Sequence, residues 1–183
     1  MDKRYMKSIR ELSWKGYERF EFRAIREDEA EQAAQVEAEC FPPGEACTLE
    51  RMKERVAAAK DIFLVAVDKK SGKIAGFVNG IATNDTVLKD EFYTDASLHD
   101  PNGANVMICS VCVLPQYRKQ GMARELIFEY RRRECERDRK RLILTCKKEK
   151  VEMYRKLGFE DMGTSDSSWG GTSWNQMELI LDH

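Results

Sequence analysis

One stretch of the chain, residues 106–126, holds a strand, a turn and the start of a helix in direct succession. Its first half, residues 106–113, is almost entirely apolar and rich in β-branched residues, which is typical of a strand buried on both faces of a sheet. Pro115 ends that strand, because proline cannot donate to a sheet ladder. From Gly121 onward, apolar side chains recur at helical spacing. We therefore expect a buried strand that leads through a tight turn into a long helix.

The turn between this strand and this helix suits an anion. The N-terminus of a helix leaves backbone N–H groups unpaired and carries about half a positive charge, which favours phosphate oxygens. Gly121 and Ala123 are small and leave the approach open, while Arg118 and Lys119 add positive charge beside it. The sequence thus predicts a diphosphate site at the start of the helix.

The pattern Arg118-x-x-Gly121-x-Ala123 after a buried strand resembles the acyl-CoA pyrophosphate loop of the GNAT N-acetyltransferases. A second block, residues 142–159, places Tyr154 in a short helix and is similar to the other GNAT hallmark. The resemblance implies an α/β domain with the GNAT fold, in which a mixed, mostly antiparallel sheet with two splayed central strands is flanked by helices.

The same resemblance implies acetyl-CoA as co-substrate and no metal. In such a fold the splayed strand exposes backbone N–H and C=O groups that pair with the pantetheine arm like an added strand. The implied coenzyme contacts are Val111, Cys112, Val113, Arg118, Lys119, Gln120, Gly121, Met122, Ala123 and Arg124.

Residues 40–43, with Thr145, Cys146 and Tyr154, resemble more narrowly the arylalkylamine (serotonin-type) N-acetyltransferases of microbial and non-vertebrate kind. This resemblance covers roughly residues 20–181 and implies a small primary amine as the partner. Aromatic walls stack on an arylalkylamine, and nearby acids attract its ammonium group. The implied walls are Phe41, Pro42, Pro43 and Trp169.

Three other functions stay open. Acidic loops suit a polyamine as well as an arylalkylamine. A peptide or protein acceptor would need an open groove in place of the covering loops at 41–47 and 164–172. A coenzyme-binding sensor that has lost turnover is the alternative from another class.

Tyr154 is the candidate general acid. Its match to the family's tyrosine implies a phenol near the thioester sulfur, where it protonates the leaving coenzyme A thiolate. The acceptor amine, by contrast, must lose a proton. A free alkylamine has a pKa near about 10, so a base or a proton path must deprotonate it at neutral pH.

The identity of that base is not fixed by the sequence. In the vertebrate enzymes of the resemblance, a histidine pair on the central strand relays the proton, but those positions are Met107 and Cys109 here, and neither is a competent base. The other candidates are His99, Glu39, Glu45 and a water path. We favour Glu45, because it follows the helix-ending prolines in the loop expected to cover the substrate.

The charge balance excludes some classes of partner. The 183 residues carry 31 Lys and Arg against 32 Asp and Glu, without the basic excess of a protein held by phosphate backbones. No apolar run approaches the ~20 residues of a membrane span, and no secretory signal follows Met1. We expect a cytoplasmic protein, a monomer or weak dimer, that binds neither nucleic acid nor membrane. Residues 1–18 are expected to be an N-terminal extension and residues 19–183 a single domain.

Cysteine spacing gives no sign of a metal or disulfide site. Cys109-Ser110-Val111-Cys112 reads CxxC, but residues three apart on a strand point to opposite faces, so a shared metal or disulfide is not expected there.

The remaining periodicities predict the order of elements along the chain. Asp28 and Thr48 are the expected N-caps of two helices, and Pro42 ends the first. The predicted elements are a strand at 20–25, helices at 28–40 and 48–60, a hairpin at 62–82, a polar excursion at 83–104, a helix from 121 to about 137, a strand at 142–146, a short helix at 151–157, and strands from 159 and at 174–181.

Overall fold

The apolar runs of the sequence become the strands of a single sheet in the computed structural model, which describes residues 14–182. The strands within this range are β1 (Phe20–Ala24), β2 (Leu64–Asp68), β3 (Lys73–Thr83), β4 (Asn105–Val113), β5 (Arg141–Cys146), β6 (Glu160–Thr164) and β7 (Asn175–Ile180). Their spatial order is β1-β2-β3-β4-β5-β7-β6. Every neighbouring pair is antiparallel except β4 and β5, which are parallel. The predicted mixed, mostly antiparallel sheet is confirmed.

Helices cover both faces of this sheet. The α-helices are α1 (Ala30–Cys40), α2 (Leu49–Ala59), α3 (Glu91–Thr94), α4 (Met122–Glu136) and α5 (Val151–Lys156). On one face, α1 and α2 pack on β2 and β3 through residues such as Val56 and Phe77. On the other, α4 packs through Leu126 and Tyr130. Because both faces are covered, ten of the eleven residues of β3 are buried.

The parallel pair is short, and its end creates a gap in the sheet. The chain leaves β4, passes through α4 and returns as β5, which is the predicted strand–helix–strand crossover. β4 pairs with β5 only from Asn105–Arg141 to Met107–Ile143, although both strands continue beyond. The two central strands therefore splay apart beyond Met107, as the family resemblance implied.

A β-bulge in β4 lies at the start of this gap. Asn79 of β3 pairs with Ser110, but the next residue, Gly80, pairs with Ile108, so Cys109 is the extra residue. The strands approach so closely here that a Cβ on Gly80 would lie 2.5 Å from the Met107 carbonyl oxygen. Bulges bend a strand and re-aim the side chains that follow. The bulge thus sets where Ser110 points.

Local details differ from the sequence prediction at two places. Asp28 does not cap α1, which begins at Ala30 after a 3-10 turn in which Glu29 Oε2 accepts the Arg26 N–H at 2.9 Å. The excursion at 83–104 is not featureless, since it contains α3 and a 3-10 turn at 96–98. The Thr48 cap is confirmed, because its Oγ1 accepts the Arg51 N–H at 3.3 Å.

The start of the described chain packs on the domain, a point that the sequence left undecided. Trp14 stacks on Phe20 with ring centroids 5.8 Å apart, and Tyr17 contacts Phe22 with centroids 5.6 Å apart. Most of the expected N-terminal extension, residues 1–13, lies outside the described residues.

Candidate active site

A cavity of about 690 Å³ occupies the gap between β4 and β5 and reaches both faces of the sheet. Its walls come from α1 and α2 on one side and from the start of α4 on the other, with α5 between them. The sequence-predicted residues that line it are Phe41, Pro42, Glu45, Val111, Val113, Arg118, Lys119, Gly121, Met122, Ala123, Arg124, Tyr154 and Trp169. The predicted residues that do not line it are Pro43, Cys112 and Gln120.

One end of the cavity is the turn before α4. Gly121 has φ +83°, a left-handed conformation that glycine adopts without strain, and it stands at the N-cap of α4. The first helical bond runs from the Glu125 N–H to the Gly121 carbonyl at 3.1 Å. Within residues 14–182, the N–H groups of residues 121–124 donate to no protein acceptor. They face the cavity as a ready anion site.

Basic side chains and an indole surround this turn. Arg118, Lys119 and Arg124 are exposed and line the cavity mouth. Trp14 donates from Nε1 to the Gln120 carbonyl at 2.8 Å and so packs beside Gly121. The Gln120 carbonyl is therefore occupied by protein, and the Gln120 side chain donates to the Gln116 carbonyl at 3.3 Å.

Along β4, only every second residue directs its backbone N–H and C=O groups toward the gap. The Leu114 N–H donates to the Ala75 carbonyl of β3 at 2.9 Å, so Cys112, two residues earlier, also directs its backbone groups toward β3. Val111 and Val113 direct theirs toward the gap. The expectation that Cys112 offers backbone groups to the coenzyme is wrong for that reason. At Val113 the carbonyl already accepts Arg118 Nε at 2.9 Å.

Tyr154 stands on α5 at the β5 side of the gap. Its ring packs edge-on against Phe159, with centroids 5.6 Å apart, and only 8% of the residue is exposed. Burial, with smaller contributions from Cys146 and Cys112, raises the pKa of Tyr154 well above its ordinary value. The phenol is therefore protonated throughout the physiological range and holds a proton that it can donate.

The other end of the cavity is lined by aromatic side chains from separate loops. Trp169 and Tyr93 lie 4.9 Å apart between ring centroids, and Phe41 lines the same space. Trp169 Nε1 donates to the Glu45 carbonyl at 3.0 Å, which ties the two loops predicted to cover the substrate. Trp174 Nε1 in turn donates to the Trp169 carbonyl at 2.9 Å.

Two carboxylates face this end of the cavity. Glu45 Oε1 forms an ion pair of 2.7 Å with Lys147, and Oε2 is buried without a hydrogen-bond partner in the described part of the chain. Glu37, only 3% exposed, accepts the Cys47 N–H on Oε2 at 3.0 Å. Burial raises the pKa of Glu37, and the positive charge of Arg55 partly opposes that effect.

A family model described as an acetyltransferase (GNAT) domain matches residues 25–181. The chain belongs to the GNAT acetyltransferase family. It is therefore an acyltransferase that uses acetyl-CoA, as the sequence predicted. Among curated proteins, none matches the sequence.

Solved structures agree with this GNAT fold. The loading GNATL domain of CurA from Lyngbya majuscula is 13% identical with a TM-score of 0.75, covering 88% of this chain and 98% of that one. The GphF GNAT-like decarboxylase in complex with isobutyryl-CoA is 14% identical with a TM-score of 0.72, covering 88% and 100%. The ribosomal-protein-S18-alanine N-acetyltransferase from Escherichia coli is 13% identical with a TM-score of 0.67, covering 90% and 95%.

Two of the base candidates lie away from the GNAT cavity. His99 has a side chain only 2% exposed, accepts the Ala82 N–H on Nδ1 at 3.0 Å and places Nε2 3.4 Å from Asp61. It is a structural residue and does not line the cavity. Glu39 is exposed on α1 and does not line it either. At the histidine-pair positions, Met107 is fully buried, and burial raises the pKa of the Cys109 thiol.

Sequence reasoning missed Glu37 and Arg55, although the sequence contains a signal for both. Glu37 falls on the apolar stripe of α1 with Ala30, Ala33 and Ala34. Arg55 falls likewise on the buried stripe of α2. Charged residues at core positions of a helix are rare unless they are paired or functional. Tyr93 gave no such signal, because it lies in the irregular excursion.

The helices of residues 14–182 include none that is long and apolar enough to cross a membrane.

Proposed function

We propose that this GNAT domain transfers the acetyl group of acetyl-CoA to a small primary amine of the arylalkylamine class. The observation that carries the proposal is one continuous cavity, which joins the unpaired N–H groups of residues 121–124 to an aromatic and acidic compartment. A coenzyme diphosphate bound at this turn would direct the thioester into the gap between β4 and β5. The amine would approach it from the compartment on the opposite side.

The compartment suits the two parts of such an amine. Trp169, Tyr93 and Phe41 offer ring faces and edges for an aromatic group. The buried, unpartnered Oε2 of Glu45 is an acceptor for an ammonium group. This position supports Glu45 as an anchor for the ammonium, and its role as the base remains a prediction from the sequence.

Tyr154 is proposed as the general acid. A nucleophilic amine attacks the thioester carbonyl carbon, and the tetrahedral intermediate breaks its C–S bond to release a thiolate. The raised pKa of Tyr154 keeps its proton available at this step. The backbone groups of Val111 at the gap are the nearest partners for the pantetheine arm.

The size of the acceptor favours a small molecule over a peptide. The hydrogen bond between Trp169 and Glu45 joins two loops over the compartment, which leaves less room there for an extended peptide. A polyamine is the second candidate, because Glu37 and Glu45 both face the cavity and two carboxylates suit two ammonium groups.

Release of free thiol from acetyl-CoA tests the proposal. The purified protein is assayed with tryptamine, serotonin and phenethylamine, with spermidine, and with a peptide that begins with alanine. We expect the arylalkylamines to give the highest kcat/KM. A higher kcat/KM for spermidine or for the peptide would show that the acceptor is a polyamine or a peptide and not an arylalkylamine. Binding of acetyl-CoA by calorimetry without turnover on any amine would support a sensor instead.

A further inference from the structure

We propose that the Glu37–Ser110 pair, and not Glu45, takes the proton from the acceptor amine. This inference rests on the proposed function and adds the route by which the amine becomes nucleophilic. It is carried by the position of two buried polar side chains that line the cavity, Glu37 of α1 and Ser110 of β4.

Glu37 occupies a buried position that an apolar core residue would normally occupy. It lies on the inner face of α1, is 3% exposed and lines the cavity. The Cys47 N–H, at 3.0 Å, holds Oε2 and leaves Oε1 for a second donor. Burying a charged carboxylate costs free energy unless a partner compensates it. A buried carboxylate that lines a cavity is therefore a candidate for a group that takes up a proton during the reaction.

Ser110 supplies the link between Glu37 and the gap. It follows the Cys109 bulge on β4 and lies opposite Asn79, on the face that α1 and α2 cover. Its Oγ is buried, has no other side-chain or backbone partner within residues 14–182, and is close enough to Glu37 to lower the pKa of that carboxyl. Ser110 and Glu37 both line the cavity. A hydroxyl beside a carboxylate can accept one proton while it passes on another.

The charges around Glu37 leave it basic. Arg55 of α2 faces it, but its guanidinium donates to Asn79 Oδ1 at 3.2 Å and to the Tyr93 carbonyl at 2.9 Å, so it acts on Glu37 only through space. The other titratable groups that face Glu37 are the thiols Cys47, Cys109 and Cys112, all of which burial holds neutral by raising their pKa. Burial is the largest effect on Glu37 and raises its pKa toward that of a general base.

Glu45 is less suited to this role. Its Oε1 forms an ion pair of 2.7 Å with the Lys147 ammonium, so this carboxylate already has a cationic partner. That position suits an anchor for the ammonium group of the amine. Glu37 has no comparable partner, because Arg55 is committed elsewhere.

Two protons leave the amine nitrogen in the proposed reaction, the first of them through Ser110. The ammonium gives one proton to Ser110 Oγ while the Ser110 hydroxyl proton passes to the Glu37 carboxylate, so Ser110 ends neutral and Glu37 ends as the acid. The amine lone pair then forms the C–N bond, and the C–S bond breaks. Tyr154 gives its proton to the departing thiolate, the second proton lost from nitrogen passes through solvent to the Tyr154 phenolate, and Glu37 returns its proton to solvent.

Matched glutamine variants test this route. Glu37→Gln should lower kcat/KM for the amine at pH 7 by about 100-fold and remove the dependence of kcat/KM on a group of raised pKa. The loss should shrink for an amine of lower pKa, which needs less help. Glu39→Gln, on the exposed side of the same helix, should leave kcat/KM and its pH dependence unchanged. Ser110→Ala should act in the same direction, and the double variant should be no slower than Glu37→Gln alone.

A pH series of thermal unfolding checks Glu37 without any assay of activity. Because the pKa of Glu37 is raised in the folded protein, ionisation destabilises the wild type above the ordinary glutamate pKa of about 4.3. Glu37→Gln should therefore gain stability relative to wild type as the pH rises above about 4.3.

The outcomes separate this inference from the proposed function. Glu37→Gln with a wild-type pH profile, together with Glu45→Gln that loses it, would overturn the Glu37–Ser110 route. A wild-type protein inactive on every amine would remove the function, whereas the unfolding series still reports whether Glu37 titrates. If Glu37→Gln does not fold, full activity of Ser110→Ala across pH overturns the route.

Discussion

Trp169 Nε1 donates a hydrogen bond of 3.0 Å to the backbone carbonyl of Glu45, across 124 positions of sequence. This bond joins the loop after α1 to the loop before β7. Both loops line the aromatic end of the cavity, so the bond holds them together there.

Replacing Trp169 by Phe keeps a ring but removes the donor. The lost hydrogen bond is worth about 1 kcal/mol, so we expect the KM for the amine to rise about fivefold with the KM for acetyl-CoA unchanged. Steady-state kinetics with each substrate varied in turn measure both. Trp14→Phe is the control, because Trp14 bonds the Gln120 carbonyl beside the coenzyme turn. Trp14→Phe should raise the KM for acetyl-CoA and leave the KM for the amine unchanged. The reverse pattern would contradict the placement of the two substrates.

Gly121 and Gly72 form a matched pair for the coenzyme turn. Both have positive φ, +83° and +70°, and an added Cβ meets no atom closer than 3.4 Å at either position. Alanine at each should cost about 1 kcal/mol of unfolding free energy, measured by urea denaturation. Only Gly121→Ala should weaken coenzyme binding in calorimetry, because only that turn presents its N–H groups to the diphosphate. Equal affinities for the two variants would argue against a diphosphate at Gly121.

Tyr154→Phe should lower kcat by about 100-fold and leave acetyl-CoA affinity within a few-fold of wild type. The raised pKa of Tyr154 also has a direct consequence for pH dependence. Because the phenol stays protonated above the ordinary tyrosine pKa of about 10, wild-type turnover should not fall as the pH approaches that value through loss of this proton. Tyr93→Phe is the control, since Tyr93 lines the same cavity and shares its hydroxyl with Thr145 at 2.7 Å. An equal loss of kcat in both variants would remove the special role of Tyr154.

Cys40 should be the most reactive thiol of the protein. A hydrogen bond with the Cys112 thiol and the nearby Arg118 charge lower the pKa of Cys40 to about 7, whereas burial raises that of Cys47, on the same cavity, to about 11. At pH 7 about half of Cys40 is thiolate. Allowing for the lower nucleophilicity of the weaker base, we expect alkylation about 100-fold faster than at Cys47.

Mass spectrometry after brief iodoacetamide treatment identifies the modified residue. Cys40→Ser should abolish the fast phase and Cys47→Ser should not. Acetyl-CoA should slow the reaction, because Cys40 Sγ lies 3.4 Å from the Val113 carbonyl at the cavity edge. Equal rates at the two thiols would show that Arg118 and Cys112 do not activate Cys40.

Residues 106–126 show how far local sequence reasoning reaches. The apolar run, the proline and the glycine act on neighbours within a few positions, and the structure has β4 and α4 where they predicted them. The prediction for Cys112 was wrong because the backbone groups of successive strand residues point to opposite sides of the strand. Only every second residue of β4 can therefore direct its N–H and C=O groups into the gap. Which half does so depends on pairing with β3, and the bulge at Cys109 is not visible in the sequence.

The sequence by itself determined the sheet, the family resemblance and the turn with unpaired N–H groups, because such groups at a helix start are a property of the adjacent backbone. Tertiary structure alone decided the aromatic and acidic end of the cavity. Glu37, Arg55, Tyr93 and Ser110 come from four elements and meet only after β4 and β5 separate and the bulge turns Ser110 toward α1. Burial then decides their chemistry, since the loss of surrounding water raises the pKa of the Glu37 carboxyl.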